Sequence, residues 1–473
     1  MRWLWALLVF VGGVAQAATP VDIVKACLED ATAHPDKAAD TIYFYQPGGY
    51  TPEQYAADTM HANLLSKETD FGRLRVVNRE IVAAYKSDYG WDSDLFDKLA
   101  FTDPYFHEVA TIKAGDTYDN YWRGGQGFKP GWYRTQVSKE KKVAVPHRVL
   151  LRNSYQETRA LYEQTNSNVP VLRADWFFFQ TAACEDRVVG YYEVLGLKNR
   201  ADAEELAGLD RKIVAKRKKQ QNAYLVRSNV ALNNRSIEWM QAYDGDWWLT
   251  KDSFKDTGKN NVVRLLNGDL DHDAEEIYGT LPNGLPLMIA SDKNGVLQRI
   301  VPAKIALNKN GINNDLNLPV PFSCMHCHVE VVRPFSCDGR KLYQREIRLE
   351  TPDYFKLKRL QQLYLSDIDH TIAESQRRYA QAIKACNGLV PAANASAYAD
   401  RWRQYLEVPL GPAEVSVELG IPQDRVLRVI DGYIKAGLSD PVLSGLGQKP
   451  PVPLRREQWE EAQGLIWEWI GKP

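Results

Sequence analysis

The clearest pattern of apolar and polar positions lies in the middle of the chain, in "EEIYGTLPNGLPLMIASDKNGVLQRIV". Three short apolar runs are joined there by Asn283-Gly284 and Asn294-Gly295, pairs suited to the positive backbone angles of tight hairpin turns. The pattern predicts a three-stranded antiparallel meander. On either side the spacing becomes helical, in "VDIVKACLEDATAHP", "NRADAEELAGLDRKIVAKRKKQ" and "YFKLKRLQQLYLSDIDHTIAESQRRYAQAIKAC". The block "VLRADWFFFQTAAC" reads as core, since large aromatics dominate protein interiors. The resulting expectation is an α+β protein, mostly helical, with a small antiparallel β meander leading into a cysteine- and histidine-rich segment.

The first residues set the compartment. One Arg precedes an apolar run from Trp3 to Val11, followed by Ala15-Gln16-Ala17, the layout of a secretory signal peptide. The expected organisation is a signal peptide over 1–17, a mixed and mainly helical region over 18–225, the meander and motif over 226–345, and a helical region over 346–473. No segment of the mature chain is long and apolar enough to span a bilayer. The chain is thus expected in the periplasm.

Charge adds little: 59 basic side chains face 60 acidic ones, so composition carries no footprint for nucleic acid. The basic run Lys216 to Lys219 reads as the solvated face of a helix. Oligomeric state is not encoded in any pattern.

The candidate chemistry sits in "PVPFSCMHCHVEVVRPFSC", which packs three of six cysteines and two of eight histidines into one stretch. In Cys324-Met-His-Cys327-His328, two thiols at this spacing suit the two vinyl groups of a porphyrin, and the adjoining His328 falls under the iron. Two other readings are a zinc knuckle, which needs four convergent ligands, and a redox dithiol, which usually follows a strand in a βαβ unit. Divergent consecutive residues weigh against the first and the absence of a βαβ pattern against the second. One covalent haem c is therefore expected on Cys324, Cys327 and His328. The remaining Cys27, Cys184, Cys337 and Cys386 have the number for two disulfides in an oxidising compartment, with Cys337 a candidate for one of them.

No Met follows Met325, so a distal methionine downstream of the motif is ruled out. Among the upstream groups His272 is the candidate distal iron ligand. "NGDLDHDAEEIYGT" around it is not a calcium loop, because Ala274 and Thr280 stand where such a loop needs Gly and Glu.

"VLRADWFFF", "SNVALNNRSIEW", "LDHDAEEIYGTLPNGLPLMIASDKNGVLQ" and "FSCMHCH" together resemble a group of exported bacterial cytochrome-c-like proteins of the planctomycete and myxobacterial type. Their pattern runs R-A-D-W-F, N-N-R, H-D-G-G-E-I-I-F-x-L-P-N-G-L-Q and S-C-M-x-C-H. By that resemblance Arg173, Asp175, Trp176, Asn233, Asn234, Arg235, His272, Asp273, Glu276, Asn283 and Gly284 occupy motif positions. The double Gly after His-Asp is Ala274-Glu275 here, which removes the backbone freedom of that turn. The resemblance implies haem binding and brings no established reaction.

Three functions are compatible with the sequence. The first is a periplasmic monohaem cytochrome exchanging single electrons with a redox partner protein. The second is a haem enzyme or gas/peroxide sensor with an open sixth coordination site and polar groups near His272 and Glu276. The third is an exported zinc-binding or structural protein without haem.

Overall fold

The computed structural model describes residues 18–114, 139–182, 189–225, 233, 235–254, 271–301, 303, 305–307, 318–328, 332–335, 337–338, 354–355, 358, 368–387, 401, 405–437 and 441–470. The expected signal peptide, 1–17, lies outside them. No helix among the described residues is long and apolar enough to cross a membrane.

The chain enters through helix Pro20–Ala33, where Thr19 and Asp22 form a reciprocal capping box and Pro20 takes the first position. A first sheet follows with β1 (Thr41–Tyr45), β2 (Arg75–Val76) and β3 (Ile81–Tyr85). After a hairpin of β4 (His107–Ile112) and β5 (Lys141–Pro146), β6 (Val171–Arg173) joins β1 in parallel and completes the order β2-β3-β1-β6. Helix Ala174–Ala182 continues directly from β6 and is buried along its whole length. Phe177 packs on Phe44 at 4.9 Å and Trp91 at 6.1 Å. The aromatic block "DWFFF" is core, as its composition suggested.

A second sheet positions the site. It consists of β7 (Gln220–Leu225), β8 (Arg235–Gln241), β9 (Asp246–Asp252), β10 (Ala274–Thr280) and β11 (Pro286–Asp292), all antiparallel, in the order β11-β10-β9-β8-β7. This overturns the expectation of a mostly helical protein with a small meander: the described residues are 46% helix and 21% strand, with several multi-strand sheets. "QQNAYL" was hidden behind the basic helical stretch preceding it. "RSIEWMQ" and "DWWLTKD" are buried on both faces, which erases the simple alternation expected of a half-solvated strand.

The meander is only partly as expected. Asn283-Gly284 does turn β10 into β11, with Gly284 at φ 86°. Beyond Asn294-Gly295 the third run makes one bridge to β11, Ser291 to Leu297, and one from Val296 to Asn199, and then leaves the sheet. On the outer edge of β11 the amides of Met288 and Ala290 take the hydroxyls of Tyr191 and Tyr192, which blunts that edge against further pairing. Ile300–Val301 (β12) pairs instead with Leu318–Pro319 (β13), immediately before the helix Phe322–Cys327.

Helix Ile368–Asn387 lies across one face of the second sheet. Ser375 accepts from the Trp248 indole, Arg378 pairs with Asp246, and the Tyr379 hydroxyl meets Thr280. Both sheets share one hydrophobic core, and the helices from Pro412 to Ile470 build a second one. The basic run at Lys216 to Lys219 is exposed at the end of helix Arg211–Arg217. Cys27 and Cys386 are free thiols, so the two disulfides for which Cys27, Cys184, Cys337 and Cys386 have the number are not both formed; Cys184 lies outside the described residues.

Two stability predictions arise here. A Cβ on Gly245, at the β8–β9 turn, would stand 2.3 Å from the Thr280 Cβ and 2.4 Å from its Oγ1. Thr280 also accepts from the Asp246 amide at 2.9 Å, so the turn has no room to yield. Gly245→Ala is expected to cost about 1–3 kcal/mol in urea unfolding; an unchanged midpoint would contradict this packing.

His61 is fully buried against Phe178 and bonds through Nε2 to the Thr181 hydroxyl at 2.8 Å. Burial pushes its pKa down to about 3, against ~6.5 in the unfolded chain. Its contribution to stability is therefore complete above pH 6.5 and is lost as pH falls toward 3, by about 1.4 kcal/mol per unit. His61→Gln is expected to flatten the fall in denaturation midpoint between pH 6.5 and 4.5. Equal slopes in the two proteins would contradict it.

Candidate haem-attachment site

The motif begins after Pro321, with the one-and-a-half-turn helix Phe322–Cys327. Positions three apart fall on one side of such a turn, so the backbone sets Cys324 and Cys327 on a shared face. The His328 amide bonds to the Cys324 carbonyl at 2.8 Å and closes the turn. The chain then leaves helical geometry at His328, φ −107° and ψ 53°. The Cys324 thiol is buried and the His328 ring is half-buried, and both line the same open cleft. The side chains of His326 and Cys327 lie outside what the structure describes.

One wall of the cleft is apolar, with Val301, Ile305, Ala306 and Leu318 packed around Ala274. The other wall is the face of the second sheet that carries Arg235, Asp252 and Glu276. Register explains the grouping: Arg235 on β8, Asp252 on β9 and Ala274 on β10 form one cross-strand row, and Glu276 stands two residues along β10 on the same face. Arg235 grips Asp252 bidentately at 2.8 and 2.9 Å and reaches Glu276 at 3.4 Å. The Tyr278 hydroxyl donates to the Glu276 carboxylate.

His328 belongs to this group. Its Nε2 faces Glu276 Oε1 at 3.8 Å, and its ring lies over Tyr278 with centroids 4.5 Å apart. Burial pushes the Glu276 carboxyl up, but the charges of Arg235 and His328 and the Tyr278 hydrogen bond outweigh it and hold the group below its ordinary range. Asp252 goes the other way, because for it burial outweighs the Arg235 charge. Burial likewise drives the Tyr278 phenol far above its ordinary value, and the Glu276 charge adds to the effect.

The structure does not bring His272 to this group. Successive residues of a strand point to opposite faces, and Glu275 and Glu276 divide the polar groups between them. Glu275 takes His272 Nε2 at 3.0 Å, the Ser291 hydroxyl at 2.7 Å and Arg200, all away from His328. Those hydrogen bonds overcome the burial that would otherwise raise the Glu275 carboxyl.

The other motif residues serve elsewhere. Asn233 bonds the Ser253 carbonyl, Asp273 holds the Phe254 amide, and Asn283 ties its turn to the Asn63 carbonyl. Asn234 lies outside the described residues, and Trp176 is core. Arg173 and Asp175 form a separate network with Glu418. Asp252 and Tyr278 escaped the sequence reading, although the alternation of "EEIYGT" placed Glu276 and Tyr278 on one face.

No protein-family model, curated protein or solved structure matches this chain. The site must be judged on its own chemistry. A buried thiol and an imidazole four residues apart open on one cleft with an apolar wall, and that donor set suits a thioether-attached porphyrin ligated by His328. Among the described residues no group of three His, Cys, Asp or Glu side chains is placed to hold a metal ion by itself.

Proposed function

We propose that the chain is a periplasmic monohaem c-type cytochrome-like protein that exchanges single electrons with a partner redox protein. The observation that carries the reading is the shared cleft of Cys324 and His328, with an apolar wall on one side and the Arg235–Glu276–Tyr278 group on the other. Cys324 and Cys327 would hold the porphyrin and His328 would ligate its iron. Bound there, the haem supplies a one-electron redox centre. Glu276 and Tyr278 fix the imbalance of charge and the orientation of the His328 ring, as outer-shell groups do for metal-bound histidines. The signal-like leader and the resemblance to exported cytochrome-c-like proteins support the same reading.

A second reading, small-ligand or peroxide chemistry at an open iron position, is favoured by one observation. His272 is engaged by Glu275 on the far face, while the half-buried Glu276 and the buried Tyr278 face His328, and pocket polarity tilts a haem toward ligand chemistry. Absorption spectra of the exported protein, oxidised and reduced, with and without carbon monoxide, separate the cases. A covalent haem spectrum that His272→Ala leaves unchanged is expected; absence of a haem spectrum sinks the proposal. A shift on adding carbon monoxide selects the second reading.

A further inference from the structure

The register of the second sheet sets a row of oxidisable side chains beside His328. Trp239 on β8, Trp248 on β9, Tyr278 on β10 and Met288 on β11 are direct cross-strand partners on one face. Tyr278 lies against the His328 ring at 4.5 Å, and Trp248 and Trp239 have ring centroids 6.5 Å apart. Directly opposed residues in antiparallel strands have Cβ atoms roughly 5 Å apart, so Tyr278 and Trp248 complete the series. Trp248 and Tyr278 are buried, whereas Trp239 is half-exposed. The row therefore begins at the motif and ends at solvent.

Aromatic pairs are common on sheets for packing alone. Here the neighbouring row on the opposite face reads Met240, Trp247, Gly279 and Leu287 and has no aromatic continuity. Each ring of the site-face row also has its polar atom engaged. Trp239 Nε1 donates to Asp246 Oδ1 at 2.7 Å, Trp248 Nε1 to Ser375 at 3.2 Å, and Tyr278 to Glu276. Asp246 is fully buried, and its Oδ2 has no hydrogen-bond partner.

We infer that Trp239, Trp248 and Tyr278 form an electron relay between the His328 site and the protein surface. The inference rests on the second reading above, peroxide chemistry at an open iron position. Its electron balance is explicit for a peroxide as oxidant: hydrogen peroxide takes up two electrons and two protons from solvent and leaves as two waters. Each electron passes inward from Tyr278, is replaced from Trp248, then from Trp239, and finally from a reduced one-electron carrier at the surface, which is oxidised. The Trp239 indole proton moves to Asp246 when its electron leaves and returns when the electron is replaced. The phenol proton shifts along its hydrogen bond to Glu276 and back, and Trp248 keeps its N–H on Ser375.

The test uses the haem-loaded full chain, treated with equimolar hydrogen peroxide without a reductant. Protein radicals are read by electron paramagnetic resonance and oxidised residues by peptide mass mapping. Oxygenated products are expected on Trp239 in the wild type, and to fall there at least tenfold in Trp248→Phe with haem content and absorption spectrum unchanged. In Trp239→Phe they are expected to move to Trp248. Wild-type protein whose covalent haem consumes the peroxide with no oxidation on the row, or Trp248→Phe with undiminished oxidation of Trp239, overturns the relay alone; covalent haem that leaves the peroxide unconsumed overturns the peroxide reading and the relay together. Wild-type protein without covalent haem overturns the haem reading and the relay together.

Discussion

Arg173→Met is expected to destabilise the protein by about 3–5 kcal/mol, the cost of leaving buried carboxylates without their cation. Arg173 is 3% exposed and binds Asp175 bidentately at 2.5 and 2.7 Å. Its other edge binds both oxygens of Glu418, which also accepts from Arg456 at 2.9 Å and from the Trp459 indole at 3.2 Å. The guanidinium lies over the Tyr105 ring at 4.5 Å. This network joins β6 to the C-terminal helical core. For both carboxyls burial is an upward push that the neighbouring guanidinium charges overcome: Asp175 is held at about 2, and Glu418 below its ordinary range.

Removing Arg173 strands both carboxylates. Urea unfolding of wild type and variant checks the magnitude, and a loss under 1 kcal/mol would contradict a shared dry network. Neutralising the acids in the same background, with Asp175→Asn and Glu418→Gln, is expected to restore part of the loss, because amides tolerate burial better than unpaired charges. If the triple variant is less stable than Arg173→Met, the electrostatic explanation fails.

The second large effect is chemical. Cys324→Ala is expected to lower the yield of covalently attached haem at least tenfold, because it removes one of the two thiols the attachment uses. Cys337→Ala is expected to leave it unchanged, because Cys337 lies ten residues beyond the motif turn. Both yields are read from the haem stain of denatured protein, normalised to the amount of chain. Equal loss in the two variants would mean that attachment depends on the general thiol content and not on the motif.

How far these features were legible in the sequence depended on how local their causes are. The Thr19 capping box, the Asn283-Gly284 hairpin and the motif turn at Cys324 are each written in a few adjacent residues, and each can be read without knowing its neighbours. The second sheet was not legible to the same degree. β8 and β9 are buried on both faces, so "RSIEWMQ" and "DWWLTKD" lack the alternation that marks a half-solvated strand, and β7 follows a basic helix without a punctuating Gly or Pro. The third run of the meander was lost for a similar reason: Tyr191 and Tyr192, about a hundred residues away, occupy the edge it would have paired with.

The candidate site shows the same division. Cys324 and His328 follow from spacing, Glu276 from the polar stretch around His272, and Arg235 came only through resemblance. Their grouping with Asp252 and Tyr278 is set by strand register, a relation between β8, β9 and β10. The placement of His272 turns on a single step of strand alternation: Glu275, not Glu276, is its partner, and that step takes it to the far face.

The most direct test of the central claim is the intact mass of the protein exported through the c-type maturation machinery, taken after denaturation and acid-solvent extraction of any loosely held haem. The account predicts a mature chain heavier by one haem, with the label confined to the peptide that carries Cys324 and Cys327. A chain of unmodified mass, or haem that is entirely extractable, would contradict it.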